Sequence, residues 1–96
     1  MSQLTLISRT ERPLRPLVEG AIANELHSIE AAIQITEHRI GEFETKYGMS
    51  TTEFIRRFEN DEMEESPDLD DWIGEHRLLG RLREKAEALK GIAFAN

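Results

Sequence analysis

From Ile22 to Tyr47 the apolar residues fall alternately four and three positions apart, at Ile22, Leu26, Ile29, Ile33, Thr36, Ile40, Phe43 and Tyr47. Thr36 is the single member that is neither apolar nor aromatic. A repeat averaging about 3.5 residues keeps one narrow stripe of an α-helix turned toward a partner helix along its whole length, which is the seam of a coiled coil. A strand cannot use this spacing, because its side chains alternate with a period of two. The chain is therefore expected to be all-α, with Ile22, Leu26, Ile29, Ile33, Ile40 and Phe43 as an oligomer seam.

The flanking residues set the limits of this helix. Pro13 and Pro16 suit a first turn and not an interior, so the helix is expected to begin near one of them, with Thr10 or the residues just after it as cap. Gly48 supplies a left-handed stop. Next, Ser50-Thr51-Thr52-Glu53 matches a capping box and opens a short helix through Phe54, Ile55 and Phe58 to about Asn60. Ser66-Pro67-Asp68 has the form of another helix start, with Asp68, Asp70 and Asp71 in the positively polarised first turn. That third helix carries its own stripe at Trp72, Leu79, Leu82, Ala86, Leu89 and Ala93.

The link between the long helices is compact, so the third should return antiparallel to the first. The expected fold is an antiparallel helical hairpin of one long and one medium helix with a short helix between them. Its packing should be coiled-coil-like, and it should be dimeric, because two helices cannot cover each other's apolar stripes all round. Residues 1–12 are expected to form a flexible N-terminal arm, and residues 13–96 the helical domain.

Charge narrows the function. The net charge of −7 argues against a nucleic-acid binder as a whole. Residues 1–20 sum to +1, 21–48 to −3, 49–71 to −7 and 72–96 to +2, so the acidity belongs to one connecting segment. Nucleic acid would be contacted only through Arg9, Arg12 and Arg15, a small basic cluster on the arm. The chain has no cysteine, which removes disulfides, thiolate nucleophiles and zinc–thiolate sites and fits the reducing cytoplasm. No window holds the roughly 18 apolar residues of a membrane span, and Met1 to Ser8 lack the form of a signal peptide.

No catalytic constellation emerges. His27 and His38 lie off the seam on the water side, where carboxylate and histidine do not converge on a metal. Serine and threonine sit at caps without an activating histidine, and there is no glycine-rich phosphate loop. The expectation is a non-enzyme with no cofactor and no metal. What stands out instead is the run from Glu59 to Asp71, which carries eight acids and no base. Such a surface speeds encounter with a basic partner and selects for it, and nearby aromatic residues can act as anchors. The candidate partner-binding residues are Phe54, Phe58, Glu59, Asp61, Glu62, Glu64, Glu65, Asp68, Asp71 and Trp72.

The series Lys46-Tyr47-Gly48-Met49-Ser50-Thr51-Thr52-Glu53-Phe54, then the acids, the pair Asp71-Trp72 and a leucine-rich closing helix, resembles the small helical antitoxins of prokaryotic type II toxin–antitoxin modules. The resemblance covers about residues 20–92 and leaves out the arm. It implies a protein that binds and silences a small basic toxin, commonly a ribonuclease, with Glu59 to Asp71 opposed to the toxin's RNA-binding surface. No helix-turn-helix or ribbon motif is present to carry over the DNA binding of such proteins. A homodimeric coiled-coil scaffold or helical chaperone, in which the acids only solubilise, is the alternative.

Overall fold

The computed structural model describes residues 1–95; Asn96, the end of the expected 13–96 domain, lies outside the described residues. Three helices follow one another: α1 (Leu14–Tyr47), α2 (Thr51–Glu59) and α3 (Pro67–Lys90). Among the described residues there is no strand, and residues 1–8 take neither helix nor strand.

Each helix end has a local cause. α1 starts directly after Pro13, without a side-chain cap. Thr10 is engaged elsewhere, in a turn where Ser8 Oγ donates to its carbonyl at 3.0 Å. The missing N–H of Pro16 costs no bond, because amides in a first turn have no intrahelical acceptor. At the far end Gly48 adopts φ 64, a left-handed conformation that penalises any side chain, and its N–H closes on the Glu44 carbonyl. α2 is capped by Ser50, whose Oγ accepts from the Glu53 N–H at 3.1 Å. The carboxylate half of the expected box is rewired. Glu53 turns to Arg56 and Arg57, and Glu44 of α1 takes the Thr51 N–H instead, at 2.7 Å.

α3 opens on Ser66, whose Oγ accepts from the Leu69 N–H at 3.3 Å, with Pro67 in its first turn. It ends at Lys90 and not near Ala93. The Ile92 N–H donates to the Leu89 carbonyl at 3.3 Å, a tight turn that closes the helical ladder.

The long helix packs against α3. Along α1 from its end backwards, Lys46 pairs with Asp68, Arg39 with Glu75, Glu37 with Arg83 and Glu25 with Lys85, so positions descend in one helix as they ascend in the other. Ile29, Thr36 and Ile40 of α1 and Trp72, Leu79 and Ala86 of α3 are buried between them. The heptad stripe expected as an oligomer seam is therefore covered within the chain. Ile29 and Ile40 are buried and Ile22, Leu26, Ile33 and Phe43 are half-buried, with α3 as their partner helix. Thr36 fits this stripe because its hydroxyl donates to the Ala32 carbonyl at 2.8 Å, satisfying its polar atom inside the helix.

This packing makes a direct prediction. Replacing Ile29, which is 4% exposed, with alanine should cost about 2–5 kcal/mol. Leu4→Ala, at a residue 83% exposed, should change stability by no more than about 0.5 kcal/mol. Equal shifts of the two denaturation midpoints would contradict the assignment of the stripe.

The molecule measures 60 × 25 × 18 Å, and its core is uneven along that length. Phe54, Leu69 and Trp72 form a buried cluster at the α2 end, with Phe43, Tyr47, Met49, Phe58, Met63 and Ile73 packed around it.

Candidate protein-docking site

An aromatic joint supports the acidic segment. Trp72 stacks on Phe54 with ring centroids 3.9 Å apart and planes 11° from parallel, and on Phe43 and Tyr47 at 5.7 Å each. Its indole N–H donates to Thr51 Oγ1 at 3.0 Å, and that hydroxyl in turn meets Glu44 Oε2 at 3.0 Å. One side chain of α3 thus touches α1 and α2 together. Tyr47 adds a second tie, its hydroxyl donating to Asp68 Oδ2 at 2.9 Å beside the Lys46–Asp68 pair.

These contacts reassign part of the expected docking set. Phe54 and Trp72 have no exposed surface in the chain, so they hold the joint together and are not surface anchors. The physical reason is helical phase: an aromatic beside acids in sequence can point opposite to them on a helix. Phe58 and Met63 are half-buried against the same cluster. Asp68 is half-buried and held by Lys46 and Tyr47, whose hydrogen bonds keep its carboxyl below the usual range.

The remaining acids face solvent. After α2 the backbone turns at Asp61, which adopts φ 54, a left-handed conformation that aspartate tolerates better than most residues. The Glu62 N–H then closes on the Arg57 carbonyl at 2.9 Å. This turn sends Met63 inward and leaves Glu59, Asp61, Glu62, Glu64, Glu65 and Asp71 exposed. Arg56 braces the segment, reaching Glu53 at 2.8 Å and Glu62 at 3.2 Å. Among the described residues Glu59, Asp61, Glu64 and Glu65 take part in no ion pair. Four carboxylates therefore sit unneutralised at the end of α2 and along the segment that follows it.

Hydrogen bonds from Arg56 and Arg57 pull the Glu53 carboxyl down to about 2. A carboxylate whose pKa is lower in the folded chain than in the unfolded one stabilises the fold above its unfolded pKa. That stability is lost as pH falls from about 4.5 through 2. Neutralising the free acids in the same range relieves repulsion and works the other way, so the wild type alone does not isolate Glu53. Glu53→Gln is expected to be less stable than wild type at neutral pH, with the gap closing as pH approaches 2. A gap independent of pH in thermal melts would contradict this.

The arginines of the arm and the three histidines lie outside the acidic cap that α2 and residues 59–71 form. Arg9 and Arg12 are exposed near the opposite end, while Arg15 pairs with Glu19 at 2.6 Å and lies 5.2 Å from the Phe94 ring centre. His27, His38 and His76 are exposed, and His38 Nε2 meets Glu42 at 2.9 Å. The hydroxyl of Thr51 is the structural residue that pattern reading missed; its contact with Trp72 spans 21 positions, beyond any local signal.

In comparisons with known proteins, no family model, no curated protein and no solved structure matches the chain. No helix among the described residues is long and apolar enough to cross a membrane.

Proposed function

We propose that this chain is a non-enzymatic protein-binding module, an antiparallel helical hairpin that presents a fixed patch of carboxylates to a basic partner. The observation that carries the reading is the set Glu59, Asp61, Glu64 and Glu65, exposed and without ion pairs among the described residues, at the end of α2 and in the segment that Phe58 and Met63 tie to the buried cluster of Trp72. A charged surface that is already ordered loses little conformational entropy on binding. It also accelerates encounter with a protein of opposite charge. The resemblance in residues 46–54 and 71–72 favours a specific form of this role, an antitoxin that neutralises a small basic toxin in the cytoplasm.

Affinity capture from the source cells with the tagged chain tests the proposal. A small basic protein should be retained at low salt and lost when Glu64 and Glu65 are replaced by lysine. For the antitoxin form, expression of the captured protein alone should arrest growth, and co-expression of this chain should restore it. Capture that survives the charge reversal would remove the docking role of the acids. A scaffold reading, in which the acids only solubilise, draws on a different observation, the exposure of Leu17 and Ile35 on α1.

A further inference from the structure

A second line of heptad-spaced residues runs along α1, roughly 130° round the helix from the buried stripe: Leu17, Ala21, Asn24, Ser28, Ala31 and Ile35, again four and three positions apart. α3 leaves all of it open, with Leu17 59% and Ile35 54% exposed. Its position relative to α3 is defined by the two grooves between the helices. Arg39, one turn beyond Ile35, lines one groove together with Leu78 and Arg81 and reaches across it to Glu75. The opposite groove mixes Ile33 and Ala86 with Glu30, Glu37, Arg83 and Lys90. The first side also holds Leu78, Leu82 and Leu89, half-buried and at helical spacing along α3. Leu17 and Ile35 of α1 and the half-buried Leu78, Leu82 and Leu89 of α3 thus share one side of the helix pair, where the groove between them is bordered by charges such as Glu42, Lys46, Asp71 and Arg81.

We infer that a second copy of the chain covers this face, laid antiparallel so that two helix pairs close into a four-helix bundle. Charge selects the occupant and its direction. Residues 49–71 sum to −7 at one end of a molecule 60 Å long, while Arg9, Arg12 and Arg15 lie at the other. Parallel copies would set two acidic caps side by side, well within reach of each other's field. Antiparallel copies separate the caps and bring each toward the basic end of its partner.

The line is also self-complementary under a two-fold axis, as an isologous interface requires. With its middle on the axis, Leu17 of one copy meets Ile35 of the other, Ala21 meets Ala31 and Asn24 meets Ser28. Apolar residues therefore face apolar ones at the ends, and the alanines let the helices approach closely. At the centre an amide faces a hydroxyl, a polar match that fixes the register of two helices at some cost in stability. The line spans roughly 27 Å at about 1.5 Å per residue. Across two helices it would bury on the order of 1,000 Å² in all, the lower bound for a specific interface. The line stops twelve residues short of the end of α1, so the two acidic segments lie beyond it, one at each end of the assembly.

Sedimentation equilibrium of the full chain gives the first test. The wild type should have twice the chain mass of 11.0 kDa, and Ile35→Lys should return it to 11.0 kDa with unchanged helical circular dichroism. A monomeric wild type, or an Ile35→Lys variant that stays dimeric, would overturn the inference. Orientation is read by oxidation, since the chain has no cysteine of its own. Leu17→Cys mixed with Ile35→Cys should crosslink while neither variant does so alone. Crosslinking of Leu17→Cys by itself to the same extent would mean a parallel pair and defeat the proposal.

Discussion

Replacing Trp72 with alanine is expected to remove about 3–5 kcal/mol of stability, the usual cost of emptying a large buried aromatic site. The whole reserve of a small domain is about 5–15 kcal/mol, so the variant should be partly unfolded near room temperature. The loss has several sources. The indole stacks on Phe54, Phe43 and Tyr47, and its N–H satisfies Thr51, so truncation opens a cavity and leaves the hydroxyl short of a partner. Trp72→Phe should cost much less, because the ring contacts survive and only the hydrogen bond and part of the volume are lost. Urea unfolding followed by circular dichroism separates the two. Similar midpoints for Trp72→Ala and wild type would mean that the joint does not hold the cap.

The second large effect is expected in binding. Changing Glu59, Glu64 and Glu65 together to lysine moves the net charge from −7 to −1. These residues are exposed and without ion pairs among the described residues, so the melting temperature should hold or rise as repulsion between neighbouring acids is relieved. Association with the captured basic partner should slow by about 10- to 1,000-fold at low salt, with the difference shrinking as salt is added. Surface plasmon resonance at several ionic strengths provides the measurement. An association rate insensitive to both the variant and salt would assign the contact to another surface.

The contrast between these variants shows what the amino-acid order reveals. The stripe from Ile22 to Tyr47, the stop at Gly48 and the starts at Ser50 and Ser66 follow from local chemistry, since periodicity, a left-handed glycine and capping hydroxyls act over a few residues. The same cues put Trp72 on the α3 stripe, but they do not name its partners. Its neighbour Asp71 faces water, but the indole direction is decided by Phe54 and Thr51, which reach it only after the chain has folded back. For the same reason the α1 stripe reads equally as an oligomer seam or as the bed for α3, because both present identical spacing. The second line on α1 is hidden differently. Ala21 and Ala31 pass as ordinary helix formers, and Asn24 and Ser28 as a solvated face, until α3 is seen to leave Leu17 and Ile35 uncovered on the same line.

Trp72 is also the only tryptophan in the chain, which makes the joint self-reporting. Ultraviolet emission excited at the red edge comes from one indole, fully shielded and flanked by rings, so it should be blue relative to an indole in water. A basic protein that merely rests on the outer carboxylates would leave that colour alone, whereas one that pries α2 from α1 and α3 would shift it red. The fluorophore is thus an optical gauge, already installed, of whether recognition leaves the cap closed or opens it.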